Sequence, residues 1–273
     1  MEGAPGLVRY RVSDMRYRKG GIDLKSPQDT FMLQTILRAR HISHEQLWRF
    51  VQCRTREDRR RIFNWRLKRL VDHELVNRQA IGSRTWVYSV SHEGAEHLVG
   101  LGEAAALVVT GGLVDLNDRA LQHSLALNEI HLSLLEARIL AAWRSDLEIR
   151  SVNEFTDFGY AKDYDAVAKI QRAGRKYEIA IEYERTPKAR ERYADVRRLI
   201  EGERRVDCVL YLMPAYPLLA HVAKSFERCA MPVFFALVDD FCRHTLEATV
   251  MDGRRLKSFQ LNAALDGVAR RSA

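Results

Sequence analysis

Two short stretches of this chain alternate apolar and polar residues, and each carries a cluster of acids. One contains Lys162-Asp163-Tyr164-Asp165-Ala166; the other is Tyr177-Glu178-Ile179-Ala180-Ile181-Glu182-Tyr183-Glu184-Arg185. Alternation with period two sends successive side chains to opposite faces of a β-strand. Asp163, Asp165, Val167 and Lys169 therefore share one strand face, and Glu178, Ala180, Glu182 and Glu184 share another. If the two strands pair, three carboxylates converge. Grouped carboxylates repel one another unless a cation intervenes, and Mg2+ takes one or two such oxygens while phosphate and water complete its shell.

A basic segment precedes these acids. The net charge is +8, and residues 1–100 hold 19 Lys or Arg against 11 Asp or Glu, while the remaining 173 hold 25 of each. The whole excess lies in the first third, peaking from Arg54 to Arg69. Such a density binds polyanions through counterion release, so double-stranded DNA is the expected partner. At 273 residues and 47% hydrophobic, the chain is expected to fold as one large domain or two ordinary ones. The longest apolar runs, near Ala104 to Val109 and Met231 to Val238, fall far short of the roughly 18 residues that span a bilayer. No apolar run follows the basic N-terminus, so a cytoplasmic location is expected, without a membrane partner. The four cysteines lack CxxC spacing, which argues against a zinc site or disulfide framework.

Helix starts are readable at Ser26-Pro27, at Ser43 and near Thr55, the last capping a helix that runs to about His73. On this third helix Phe63, Leu67, Leu70 and Val71 form an apolar stripe, while Arg61, Asn64 and Lys68 face the other way, suited to a major groove. Two strands follow, at Glu74 to Val76 and Arg84 to Val90 around a Gly82-Ser83 turn, then a helix from Ser91. Three helices and a hairpin make a winged helix. Arg60, Arg61, Asn64 and Lys68 on the helix and Arg78 and Arg84 beside the hairpin turn are the candidate DNA-binding residues. The expected divisions are a basic arm over 1–27, the winged helix over 28–100, a linker over 101–118, a sheet domain over 119–250 and a tail over 251–273.

In the sheet domain the pattern predicts a helix from Leu121 to Trp143 and strands at Leu147 to Val152, Asp163 to Gln171 and Tyr177 to Tyr183. A helix is expected over Lys188 to Glu201, a strand over Cys208 to Met213, a helix over Tyr216 to Arg228 and a strand over Pro232 to Val238. A mixed sheet flanked by helices, an α/β (α+β) fold, accommodates that order.

This order, with an acid on the second strand and an acid-x-acid motif on the third, is similar to the PD-(D/E)xK restriction-endonuclease-like fold. More specifically, a winged helix followed by His123-Ser124-Leu125-Ala126-Leu127-Asn128, then Asp163-Tyr164-Asp165-Ala166, then Ile181-Glu182-Tyr183-Glu184-Arg185-Thr186 resembles the replication-relaxation family of mobile genetic elements, which includes MobC-type plasmid mobilisation proteins. The resemblance spans roughly residues 28 to 215. It implies a DNA-binding protein acting in plasmid replication or conjugative mobilisation, with a homodimer or a mobilisation-complex partner compatible with that role. By analogy with nucleases of the fold, Asp165 and Glu182 would hold Mg2+ or Mn2+, with Glu184 a third ligand or general base. The lysine of the nuclease motif is replaced by Glu184; Lys169 would supply the missing ammonium, with Lys188 a second candidate.

Two readings follow: a metal-dependent endonuclease or relaxase whose catalytic residues are Asp165, Glu182, Glu184 and Lys169, and a non-catalytic, sequence-specific DNA-binding accessory or transcriptional regulator. In the second, the acidic sheet is vestigial or binds a protein partner; the plain structural alternative for the acids is salt bridges with Arg185, Lys162 and Arg190. Transesterification would need a tyrosine nucleophile, for which Tyr160, Tyr164, Tyr183 and Tyr193 all qualify. His123 and Asn128 are five residues apart, about 140° around a helix, and are expected to have separate jobs. His41, His44, His92 and His97 are expected at the surface or against phosphate, and Trp86 and Tyr88 in the hairpin core. The chain has no Walker A or GxGxxG sequence, so neither motor activity nor dinucleotide chemistry is supported.

Overall fold

The computed structural model describes residues 27–55, 57–82, 85–102 and 118–269. Apart from Pro27, the expected basic arm lies outside the described residues, as do Arg84 and most of the expected linker.

The N-terminal unit builds on α1 (Pro27–Ala39), β1 (Ile42–Ser43), α2 (His44–Thr55), α3 (Arg60–Asp72), β2 (Val76–Ile81), β3 (Thr85–Val90) and α4 (His92–Gly100). The three strands pair antiparallel in the order β1-β3-β2, with Ile81 opposite Thr85 at the hairpin end. Gly82 follows at φ +58°, a left-handed conformation that glycine adopts without a Cβ clash. This is the order of a winged helix. Helix α2 starts where Ser43 predicts: the Gln46 N–H donates to Ser43 Oγ while the Ser43 N–H donates to Gln46 Oε1, both at 3.2 Å. Thr55 does not cap α3, as expected from sequence, but closes α2 by donating its hydroxyl to Val51 O; α3 begins at Arg60 without a side-chain cap. Ser91 caps α4 through Gly94 N–H, and a Cβ at Gly94 would lie 2.1 Å from Leu75 O, so only glycine permits this packing.

The second unit contains α5 (Asp118–Glu136), β4 (Leu140–Ser145), α6 (Asp146–Phe155), β5 (Ala166–Arg172), β6 (Arg175–Tyr183), α7 (Arg190–Glu201), β7 (Cys208–Met213), α8 (Tyr216–Lys224), β8 (Val233–Leu237), α9 (Val238–His244), β9 (Thr249–Asp252), β10 (Lys257–Gln260) and α10 (Leu261–Ala269). Its seven strands lie in the order β10-β9-β8-β7-β6-β5-β4; β6, β7 and β8 are parallel and the other neighbours antiparallel. Helices α5, α9 and α10 pack on one face over Ile179, Ile181 and Leu210, and α6, α7 and α8 on the other over Val167, Ala180 and Val209. Every residue of the central β7 is buried, including Cys208.

Three expectations are corrected here. The segment 147–152 is helical, because Ser145 and Glu148 form a reciprocal capping box at the start of α6. The helix expected to reach Trp143 ends at Glu136, and the turn through Arg138 at φ +57° returns the chain as edge strand β4. Residues 251–273, expected as a tail, supply the end of β9, all of β10 and α10, and Leu261, Leu265 and Val268 enter the sheet core.

The two units share a face. Leu132 of α5 and Leu147 of α6 belong to the same buried cluster as Leu33, Ile36 and Leu47 of the winged helix. Arg40 pairs with Asp146 at 2.7 Å and Arg38 with Glu148 at 3.2 Å across that seam. No helix among the described residues is long and apolar enough to cross a membrane.

Candidate functional site

Helix α3 packs through Phe63, Leu67 and Leu70. At about 100° per residue, Arg61, Asn64, Trp65, Lys68 and Asp72 fall on the opposite side, and all are exposed. The face is partly organised by its own contacts. His44 Nε2 lies 3.0 Å from Asn64 Oδ1, while its Nδ1 lies 3.2 Å from Arg60 Nη2, and Arg60 also pairs with Glu45 at 2.6 Å. One neutral tautomer satisfies both contacts, with Nε2–H donating to Asn64 and Nδ1 accepting from Arg60. Burial, and then the Arg60 charge, hold the His44 pKa below its ordinary value, which keeps that tautomer uncharged. Asn64 thereby has its oxygen anchored and its amino group available. Lys68 pairs with Asp72 at 2.5 Å.

Beside this helix, β2 exposes Asn77, Arg78, Gln79 and Ala80. Arg78 lies over the Trp86 ring at 4.4 Å, and Trp86 is 42% exposed rather than in the hairpin core; Tyr88 is buried as expected. The basic peak is smaller than its count suggests, because Arg66 and Arg69 turn inward to the buried Asp29 of α1, at 3.1 and 3.7 Å. Trp65, 54% exposed, is the residue of this outer face that charge counting does not find.

The acids gather at one end of the sheet, where β5 begins and β6 and β7 finish. Pairing of Ala166 with Ile181, and of Glu182 with Tyr211, fixes this end. Asp165, just ahead of β5, accepts from the Tyr183 backbone N–H at 2.8 Å and from His123 Nε2 at 3.2 Å. Glu182 is buried and pairs with Lys162; Glu184, also buried, pairs with Lys188 at 2.5 Å. Each of the three carboxylates thus meets a basic side chain. Lys169 is not among them: it sits opposite Glu178 in the β5–β6 register and pairs with it at 2.5 Å. Arg185 donates to Arg119 O rather than to an acid, and Asp163 is exposed, facing Asn153 and Arg150. Among the described residues no three His, Cys, Asp or Glu side chains cluster at metal-binding spacing.

The electrostatics follow from these partners. Burial opposes ionisation of Asp165, but the His123 hydrogen bond and charge, with the Tyr183 N–H, hold its pKa below the ordinary value. Burial opposes protonation of His123, yet Asp165 raises it above its ordinary value. Glu182 behaves oppositely: burial raises it to about 7, against the pull of Lys162 and with a push from Asp165. The loop carrying Lys162 and Asp165 is clamped by the buried Glu203, which accepts from the Ala161 N–H at 2.8 Å and the Tyr164 hydroxyl at 3.2 Å. Tyr160, Tyr164 and Tyr193 are buried, so of the four tyrosines only Tyr183, beside His123, is part exposed at this end.

His123 and Asn128 do have separate jobs. Asn128 Nδ2 donates to His41 O at 2.8 Å in the seam, and the buried His41 lies 3.5 Å from Ser124 Oγ. His41 is therefore a seam residue rather than a surface one, while His92 is exposed beside Glu96. No curated protein and no solved structure matches the chain. The model of the replication-relaxation family matches residues 33–199, more than half the chain, from the first helix of the winged unit through His123, Asp165, Glu182, Glu184 and Lys188, and the chain belongs to that family.

Proposed function

We propose that this protein binds duplex DNA of a mobile genetic element through α3 and the β2–β3 wing, acting in plasmid replication or conjugative mobilisation. The observation that carries the reading is the exposed face of Arg61, Asn64, Trp65 and Lys68 on α3, beside the wing residues Arg78 and Trp86. Family membership supports the replication or mobilisation role. Phosphate contacts make affinity fall with salt, and each lost contact reduces the slope by about one. With a labelled duplex and a salt series, Arg61→Ala should weaken binding and flatten the slope, while Asp165→Asn should leave both unchanged. An unaltered slope in Arg61→Ala, or a loss confined to Asp165→Asn, would remove the reading face from α3.

A second reading adds chemistry at the sheet end, favoured by Asp165 and Glu182 flanking the last β5–β6 pair, Ala166 with Ile181, on directly opposed positions. Hard carboxylate oxygens suit Mg2+ or Mn2+, and one or two per ion suffice. Asp165 and Glu182 are the ligand pair this arrangement favours, with Glu184 holding Lys188. The chemistry such an ion supplies is polarisation of a phosphate oxygen and a lowered pKa for a bound water. Lys162 and Lys188 then take the part first considered for Lys169, as ammonium groups able to turn from carboxylate to phosphate. Calorimetric titration with Mn2+, comparing wild type with Glu182→Gln, tests the ligand pair, and supercoiled plasmid tests nicking. Equal Mn2+ binding by both proteins would leave the DNA-binding reading alone.

A further inference from the structure

Among the side chains on the outer face of α3, most polar groups already have partners: Asn64 has His44, Lys68 has Asp72, and the neighbouring Arg60 has Glu45. Trp65 differs. It is a large apolar side chain, 54% exposed, at the edge of an otherwise polar face. Its ring is also held in place. The Arg69 guanidinium lies over it at 4.5 Å, one helical turn on, which covers one side of the indole. Arg69 is itself kept beneath the surface by Asp29, a carboxylate 1% exposed in the first turn of α1 that also accepts from Arg66. A buried carboxylate thus sits beside a cation that lies over one side of an indole, and the rest of that indole is exposed on the same side of α3 as Arg61 and Lys68.

The major groove offers one apolar group to such a surface, the methyl on C5 of a pyrimidine. We propose that Trp65 is a specificity-determining residue that reads a C5-methyl pyrimidine, and that Arg69 and Asp29 are the positioning residues that hold it. The inference rests on the reading that α3 enters the major groove of duplex DNA. Thymine and 5-methylcytosine both carry the group, and the test separates them.

Selection from random duplexes with the full chain defines a preferred site. Each thymine in that site is then replaced by deoxyuridine, which lacks only the methyl, and separately by cytosine or 5-methylcytosine. The expected result is one thymine whose demethylation weakens wild-type binding by roughly tenfold, the scale of one hydrophobic group. Trp65→Ala should bind the thymine and deoxyuridine sites alike. A 5-methylcytosine that restores binding relative to cytosine at that position identifies the methyl itself as the ligand, and failure to restore it confines the preference to thymine. Arg69→Lys keeps the charge for Asp29 but loses the flat stacking of guanidinium. It should lower the thymine-to-deoxyuridine ratio, whereas a residue with only a structural role would weaken both sites equally.

Wild-type binding with no methyl-sensitive position, or Trp65→Ala retaining the sensitivity, overturns the proposal. An unchanged ratio in Arg69→Lys overturns the positioning role. A wild-type chain that selects no duplex fails at the earlier step, removing the DNA-binding reading together with this inference.

Discussion

Asp165 accepts one hydrogen bond from the backbone of β6 and one from a side chain of α5, so a single carboxylate ties strand to helix. Its depressed pKa means that its contribution is present above the ordinary carboxylate value and lost as pH falls through the folded one. His123, raised by the same contact, contributes fully below its ordinary value and loses the contribution as pH rises through its folded value. The pair therefore stabilises most between those limits. Glu182 has the reverse sign for a carboxylate: raised to about 7, it costs stability as pH climbs from the ordinary glutamate range through neutrality. Relative to wild type, Glu182→Gln should gain about 2 kcal/mol between pH 5 and pH 8, measured by denaturant unfolding. A difference that is flat with pH would show that Glu182 ionises normally. Alternation points to Glu182 on β6, but Asp165 precedes β5 and Glu184 follows β6, and Asp163, expected on the same face as Asp165, faces Asn153 and Arg150 instead. Lys169 was misplaced because a shared face says nothing of distance along the strand: four residues from Asp165 are about 13 Å, far enough to pair with Glu178 instead.

At the scale of elements, α6 shows how a helix can pass for a strand. Leu147 and Ile149 are both buried and two residues apart, which reads as alternation. The Ser145-x-x-Glu148 spacing is the stronger signal, since it satisfies backbone N–H groups that only a helix leaves open. Ser145→Ala should cost about 1 kcal/mol in chemical denaturation; a neutral result would mean that Arg40 and Arg38, paired to Asp146 and Glu148, hold the helix start by themselves. Strand β7 was readable almost residue for residue because a strand buried on both faces is a continuous apolar run. Strands β9 and β10 were not, because their four-residue lengths carry little periodicity and their place depends on pairing, β9 with β8 and β10 with β9.

For the molecule as a whole, the joint between the winged unit and the sheet unit is not visible in the sequence, because its apolar contacts, ion pairs and hydrogen bonds join residues far apart along the chain. Gln46 Nε2 donates to Leu125 O at 2.8 Å and to Glu129 Oε1 at 2.9 Å, and Asn128 donates to His41 O. Asn128→Ala leaves a buried carbonyl without this donor and should destabilise the seam by about 2 kcal/mol. Calorimetry would register a lowered or split unfolding transition, and an unshifted single transition would mean that the apolar contacts through Leu132 and Leu147 suffice. Helix α5 carries both ends of this arrangement, with Asn128 in the seam and His123 at the acids, about 7.5 Å apart along its axis. A joint so short and so fully bonded leaves little room for swivelling. If α3 enters duplex DNA as proposed, a second contact of the acidic end with the same duplex would fall at a constant helical phase from the bases α3 meets, and a half-turn of inserted duplex would carry it to the far side of the double helix.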